Sequence, residues 1–177
     1  IAVVTEATSR GYGAIALGTA SLAGAAEGED HSELYSPIAI GYAAQATATE
    51  TIAIGPEAKA GADDAIAIGS SATSTGKKSL ALSKDAYAKD DNSVALGSGT
   101  VTREATQENE ATVNGITYSG FAGHDPLSVV SVGSEKSETY TVSDKMNGFD
   151  SEITVTPHTR QIINVGAGKI SATSTDA

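Results

Sequence analysis

The sequence contains no cysteine and no tryptophan, and its 177 residues hold only two phenylalanines, one methionine and four prolines. Without cysteine, neither a disulfide framework nor a thiolate metal site is available. A chain exported unfolded through an oxidising space avoids mispairing in this way. With so few large side chains, the usual filling of a round globular core is missing. No apolar run approaches the length of a membrane span, and no signal peptide opens the chain. Basic residues are also scarce: 11 Lys and Arg stand against 22 Asp and Glu, a formal charge of −11. Nucleic acid needs clustered cations, so it is disfavoured as a partner. Solubility and repulsion from other anionic surfaces are favoured instead.

Catalytic constellations are lacking too. His31, His124 and His158 are scattered, and no Ser or Asp joins them in a nucleophile motif. The segment VGAGKIS (Val165–Ser171) fails the phosphate-loop spacing, because Ile163 stands where a glycine is required and Ile170 replaces the Ser or Thr. EGEDHSE (Glu27–Glu33) gathers carboxylates around His31 but lacks the regularity of a calcium loop, and reads as a solvated acidic loop. No enzymatic activity, cofactor or metal is expected.

What the chain has is alanine, nineteen glycines and a repeat. The phrases PIAIG, TIAIG, AIAIG, SLALS and SVALG begin at Pro37, Thr51, Ala65, Ser79 and Ser93, fourteen residues apart each time. Ile at i and i+2 followed by Gly builds no helical stripe. On a strand, alternate residues share a face, so Ile52 and Ile54 lie opposite Ala53. The second half of each unit carries its own stripe, Ala at 44, 58, 72 and 86, then Ala, Ala, Ser and Ala at 46, 60, 74 and 88. Two short strands and two turns per fourteen residues make one coil of an all-β, parallel β-solenoid. Stacked coils pair each strand with its equivalent ~4.8 Å away.

Two packings fit this pattern. Either the branched pairs fill the roll, or the stripe Ala39, Ala53, Ala67, Ala81 and Ala95 meets the second alanine stripe inside a very narrow roll. Matching small stripes on both strands favour the second. It leaves Ile38, Ile40, Ile52, Ile54, Ile66, Ile68, Leu80, Leu82, Val94 and Leu96 on one outer face. An exposed ladder of that size needs a partner, and closed rotational symmetry with further copies supplies one most simply. The residues between the second-strand alanines, Gln45, Lys59, Thr73 and Tyr87, are expected to face solvent as candidate ligand contacts, Tyr87 first. Their varied types do not form the threonine array of an ice-binding face.

These repeats resemble the YadA-like heads of trimeric autotransporter adhesins of Gram-negative bacteria. The heads of that family are left-handed parallel β-rolls, three chains about one axis. GAIALG (Gly13–Gly18) looks like an earlier coil with a nine-residue excursion after it, so the roll is expected over 1–100. Val113–Ser134 is similar to a head insert found before the neck, and the insert with the last coil spans 101–134. Arg160–Ala177 resembles the neck, which leads into a coiled-coil stalk; Arg160, Gln161, Ile162, Asn164 and Asp176 would be its working residues. Residues 135–159 depart from the family pattern and read as a β-hairpin, ETYTVS and SEITVT, about the turn Asn147-Gly148. The resemblance implies a homotrimeric surface adhesin. Its partners would be host extracellular matrix or cell-surface receptors, with autoaggregation as a further activity and a spacer module as the alternative. It also implies that the chain is a segment of a longer fibre, anchored in the outer membrane by a C-terminal barrel outside this sequence.

Overall fold

The computed structural model describes residues 1–30, 32–143 and 150–166, and every regular element among them is a β-strand. Successive coils pair β1 (Ala2–Val3) with β2 (Thr8–Arg10), β3 (Ile15–Leu17) with β4 (Leu22–Gly24), and β5 (Ile38–Ile40) with β6 (Gln45–Ala46). The pattern continues with β7 (Ile52–Ile54) and β8 (Lys59–Ala60), β9 (Ile66–Ile68) and β10 (Thr73–Ser74), and β11 (Leu80–Leu82) and β12 (Tyr87–Ala88). The strand β13 (Val94–Leu96) opens one more coil. A hairpin, β14 (Glu110–Val113) and β15 (Ile116–Ser119), precedes β16 (Val130–Ser131), and a second hairpin follows, β17 (Glu138–Ser143) and β18 (Asp150–Val155).

First strands stack in the order β1-β3-β5-β7-β9-β11-β13-β16, and second strands stack as β2 to β12 in a parallel sheet of their own. The result is a parallel β-solenoid of about six turns. Register follows the fourteen-residue period, with Ile52 beside Ile66 and Ile66 beside Leu80. Between β3 and β5 the step is longer, Ile15 pairing with Ile38. The extra residues loop out, and the bridge between Tyr12 and Tyr35 restores the stack.

Alanine fills the interior. Ala39, Ala53, Ala67, Ala81 and Ala95 are wholly buried, as are Ala58, Ala60, Ala72, Ala86 and Ala88 from the facing sheet. They form one continuous cluster. Small side chains allow the two backbones to approach closely, which is the packing expected from the matched stripes. Where the stripe changes to Ser74, its hydroxyl lies 2.6 Å from that of Ser79 and 3.1 Å from the Ser79 carbonyl oxygen. Ser79 in turn donates to the Gly76 carbonyl at 2.7 Å, so this polar step in the seam is satisfied.

The turns carry strain. At the corner after each first strand, Gly41, Gly55, Gly69 and Gly97 have φ between +109° and +133°. A Cβ on Gly69 would lie 2.5 Å from the carbonyl carbon of Ser83, so only glycine fits comfortably. Ser83 occupies this column with φ +113°, a region costly for a residue with a side chain. Replacing it by Gly should therefore stabilise the roll by about 1 kcal/mol. A rise in thermal midpoint of roughly 2–4 °C, measured by circular dichroism, is the expected result.

Candidate functional site

Two outward columns run the length of the roll, and they differ in what covers them. The first is the aliphatic ladder on the sheet of first strands. Strand pairing aligns Ile38, Ile52, Ile66, Leu80 and Val94 in one row and Ile40, Ile54, Ile68, Leu82 and Leu96 in the next. All ten point away from the alanine interior. Their flanks shield one another, leaving most half-buried, whereas Leu96 at the end is 43% exposed. Val130 extends the first row beyond Val94 and is 68% exposed.

The second column lies on the sheet of second strands, where Gln45, Lys59, Thr73 and Tyr87 were expected to face solvent. Their side chains point out of the roll, but the column is not open. Gln45 and Thr73 retain only 2% exposure, and Lys59 and Tyr87 are half-buried. From Val101 to Lys59 the cover is the second hairpin, folded back along its own roll. Glu138 meets the Lys89 ammonium at 2.8 Å. The Tyr140 ring lies 4.3 Å from that of Tyr87, centroid to centroid, and its hydroxyl donates to the Asp85 carbonyl at 3.0 Å. Further along, the Lys59 ammonium donates to the Ser143 carbonyl at 3.4 Å. The geometry is commensurate: from Tyr87 to Lys59 is two coils, ~10 Å, and three residues of extended β17 cover the same distance.

Apolar contact holds the hairpin down. Val101, Tyr140, Val142 and Val155 form a second buried cluster, joined by Tyr87 and Ile153. Burial, then the Asp85 charge and Tyr87, push the Tyr140 phenol above its ordinary range, so it remains a hydrogen-bond donor. Removing this anchor by Tyr140→Ala should cost about 3 kcal/mol. The amides of 138–143 should then lose hydrogen-exchange protection while those of β7 and β9 keep theirs.

At the C-terminal end of the roll, Arg160 acts within its own chain. Its guanidinium donates to the Thr100 hydroxyl at 3.0 Å, the Val132 carbonyl at 2.5 Å and the Ser98 carbonyl at 2.6 Å. Beyond it the chain is exposed, including Gln161 and Asn164, with Ile162 70% and Ile163 71% accessible. Asp176, the Gly168-Lys169 segment and the Asn147-Gly148 turn lie outside the described residues, as does His31. In the acidic loop, Glu29 accepts from the Ala26 amide at 3.1 Å and Asp30 from the Ser32 amide at 2.9 Å. These carboxylates shape the loop's turns. Among the described residues no helix is long and apolar enough to cross a membrane.

A family model for the YadA head domain repeat matches residues 38–58, 60–82 and 84–100, the coils that carry the ladder. Residues 38–100 thus carry YadA head domain repeats. Among solved structures it is similar to the C-terminal YadA-like domain of a Burkholderia pseudomallei protein. The two are 36% identical with a TM-score of 0.41, over 67% of this chain and 42% of that one. The chain thus spans less than half the length of that relative. No curated protein matches it. The repeat matches end at residue 100, so both hairpins and Arg160 itself lie outside them, while two of its partners, Ser98 and Thr100, belong to the last matched repeat.

The hairpin's docking surface was the part that sequence reasoning missed. A signal was present: Tyr140 and Val142 share one face of β17, and Ile153 and Val155 share one face of β18. An amphipathic hairpin beside an outward tyrosine suggests a mutual cover.

Proposed function

We propose that this chain is the YadA-type head of a bacterial surface adhesin and works as a homotrimer, its ladder forming the contact between copies. The observation that carries this reading is the ladder itself: ten aliphatic side chains in strict register, directed outward, with no cover from the described residues. Each is worth ~1.5–3 kcal/mol when fully buried. Three such rods side by side bury all three ladders around one axis. Residues 160–177 then carry the chains into a stalk, and the fibre is held at the outer membrane by a barrel beyond this segment.

Attachment to host matrix proteins or cell-surface receptors, and self-association of fibres, follow from display of repeated outer surfaces in three copies. Weak contacts add by multivalency. Binding of the trimer to immobilised matrix proteins and to cultured cells tests this directly. Saturable binding that falls on enforced monomerisation supports it, and no binding by the head alongside binding by the full fibre overturns it.

One observation favours a second reading, a spacer that projects another binding domain. The column best placed for ligand contact is closed, with Gln45 and Thr73 each at 2% exposure. A rod so covered displays the outer face of its hairpin, Thr139, Thr141, Glu152 and Thr154, in place of the roll's own side chains. The binding assay separates the readings when repeated with Thr141→Lys and Glu152→Lys. Lost binding assigns adhesion to that face.

A further inference from the structure

The first hairpin is amphipathic, and nothing among the described residues covers its apolar face. Strand pairing sets Val113 opposite Ile116 and Ala111 opposite Tyr118, so these four share one face. The other face carries Glu110, Thr112, Thr117 and Ser119, with the two threonine hydroxyls 3.0 Å apart. Val113, Ile116 and Tyr118 are 55%, 58% and 50% exposed. A lone two-stranded hairpin is marginal in water, and one with an open apolar face needs a surface to lie on.

Three features indicate which surface. The segment rejoins the roll at β16, where Val130 continues the aliphatic ladder in register with Val94, and nearby Leu127 is 85% exposed. Its apolar surface is therefore continuous with the proposed contact between copies. Its charge is of one sign: residues 104–134 include Glu104, Glu108, Glu110 and Asp125 and no Lys or Arg. Finally, the end of the roll carries a groove of about 780 Å³ whose lining includes Val101, Val130 and Val132, with four Lys and Arg side chains against the two carboxylates Glu135 and Glu138. An acidic hairpin with an apolar face matches a groove with a valine patch and a net positive lining in both respects.

We infer that the apolar face of the 110–119 hairpin docks on a neighbouring copy of the chain, in the groove at the end of that copy's roll. The ladder then joins the copies along the rod, and the hairpin latches each copy to the next at the neck end. The inference rests on the trimeric reading above.

A photocrosslinker tests it in the full chain. With p-benzoylphenylalanine in place of Ile116, irradiation should yield covalent dimers and trimers. In place of Thr112, on the opposite face, it should yield about tenfold less. Sedimentation of the same samples reports assembly independently. A trimer in which Ile116 gives no intermolecular product overturns the latch and leaves the trimer standing, whereas a monomer overturns both. Ile116→Asp should in addition weaken assembly by about tenfold or more, read as dissociation on dilution. Unchanged dissociation would likewise contradict the latch.

Discussion

Replacing Ile66 by Asp is expected to leave a folded chain that no longer assembles. Ile66 sits mid-ladder between Ile52 and Leu80, directed away from the alanine seam. In a closed trimer one substitution acts three times. Three lost aliphatic contacts forfeit roughly 5–9 kcal/mol of association, and three carboxylates brought near one axis add repulsion. Association should weaken by more than about a thousandfold. The strand ladder between coils is untouched, since Ile66 donates its amide hydrogen to the Ser79 carbonyl at 2.9 Å whatever its side chain. Far-ultraviolet circular dichroism should keep its β form while sedimentation velocity reports the monomer. Full trimer at micromolar concentration would show that the ladder is not the contact.

The adjacent residue should fail in the opposite way. Ala67 is wholly buried, in line with Ala53 and Ala81 and facing the alanines of the second sheet. A Leu there adds three carbons to a seam that has no space for them. Backbones paired at ~4.8 Å along the rod have little freedom to separate locally. Overpacking commonly costs 1–3 kcal/mol, and this site stands at the upper end, about 3 kcal/mol per chain. A thermal midpoint lower by roughly 10 °C follows for a chain of this length. Wild-type stability in Ala67→Leu would mean that the roll is wider than its alanines imply. On the proposed trimer, two neighbouring positions would separate the two roles of the repeat, Ile66 in assembly and Ala67 in folding.

The architecture was legible because a repeat states its own register. Fourteen-residue spacing gave the coil, and matched alanine stripes through Ala53 and through Ala58 and Ala60 distinguished inside from outside. Ser74 broke the stripe but not the reading, since Ser79 lies within hydrogen-bond reach inside the seam. Long-range cover was not legible. Lys59 meets the Ser143 carbonyl across 84 residues of sequence, and Tyr140 meets the Asp85 carbonyl across 55. No local periodicity encodes such a contact, so Gln45 and Thr73 read as solvent-facing from the stripe that contains them. Arg160 presents the same difficulty. Placed in the neck by resemblance, it donates to Ser98, Thr100 and Val132 of its own chain across 28 to 62 residues of sequence.

The ladder's role as the contact between copies is the claim on which the rest depends. Sedimentation equilibrium of the unmodified chain across a dilution series tests it most directly. A mass three times that of the 17.7 kDa chain, falling to the monomer in Ile66→Asp, is the predicted result. A stable, cooperatively folded 17.7 kDa monomer at every concentration would contradict it.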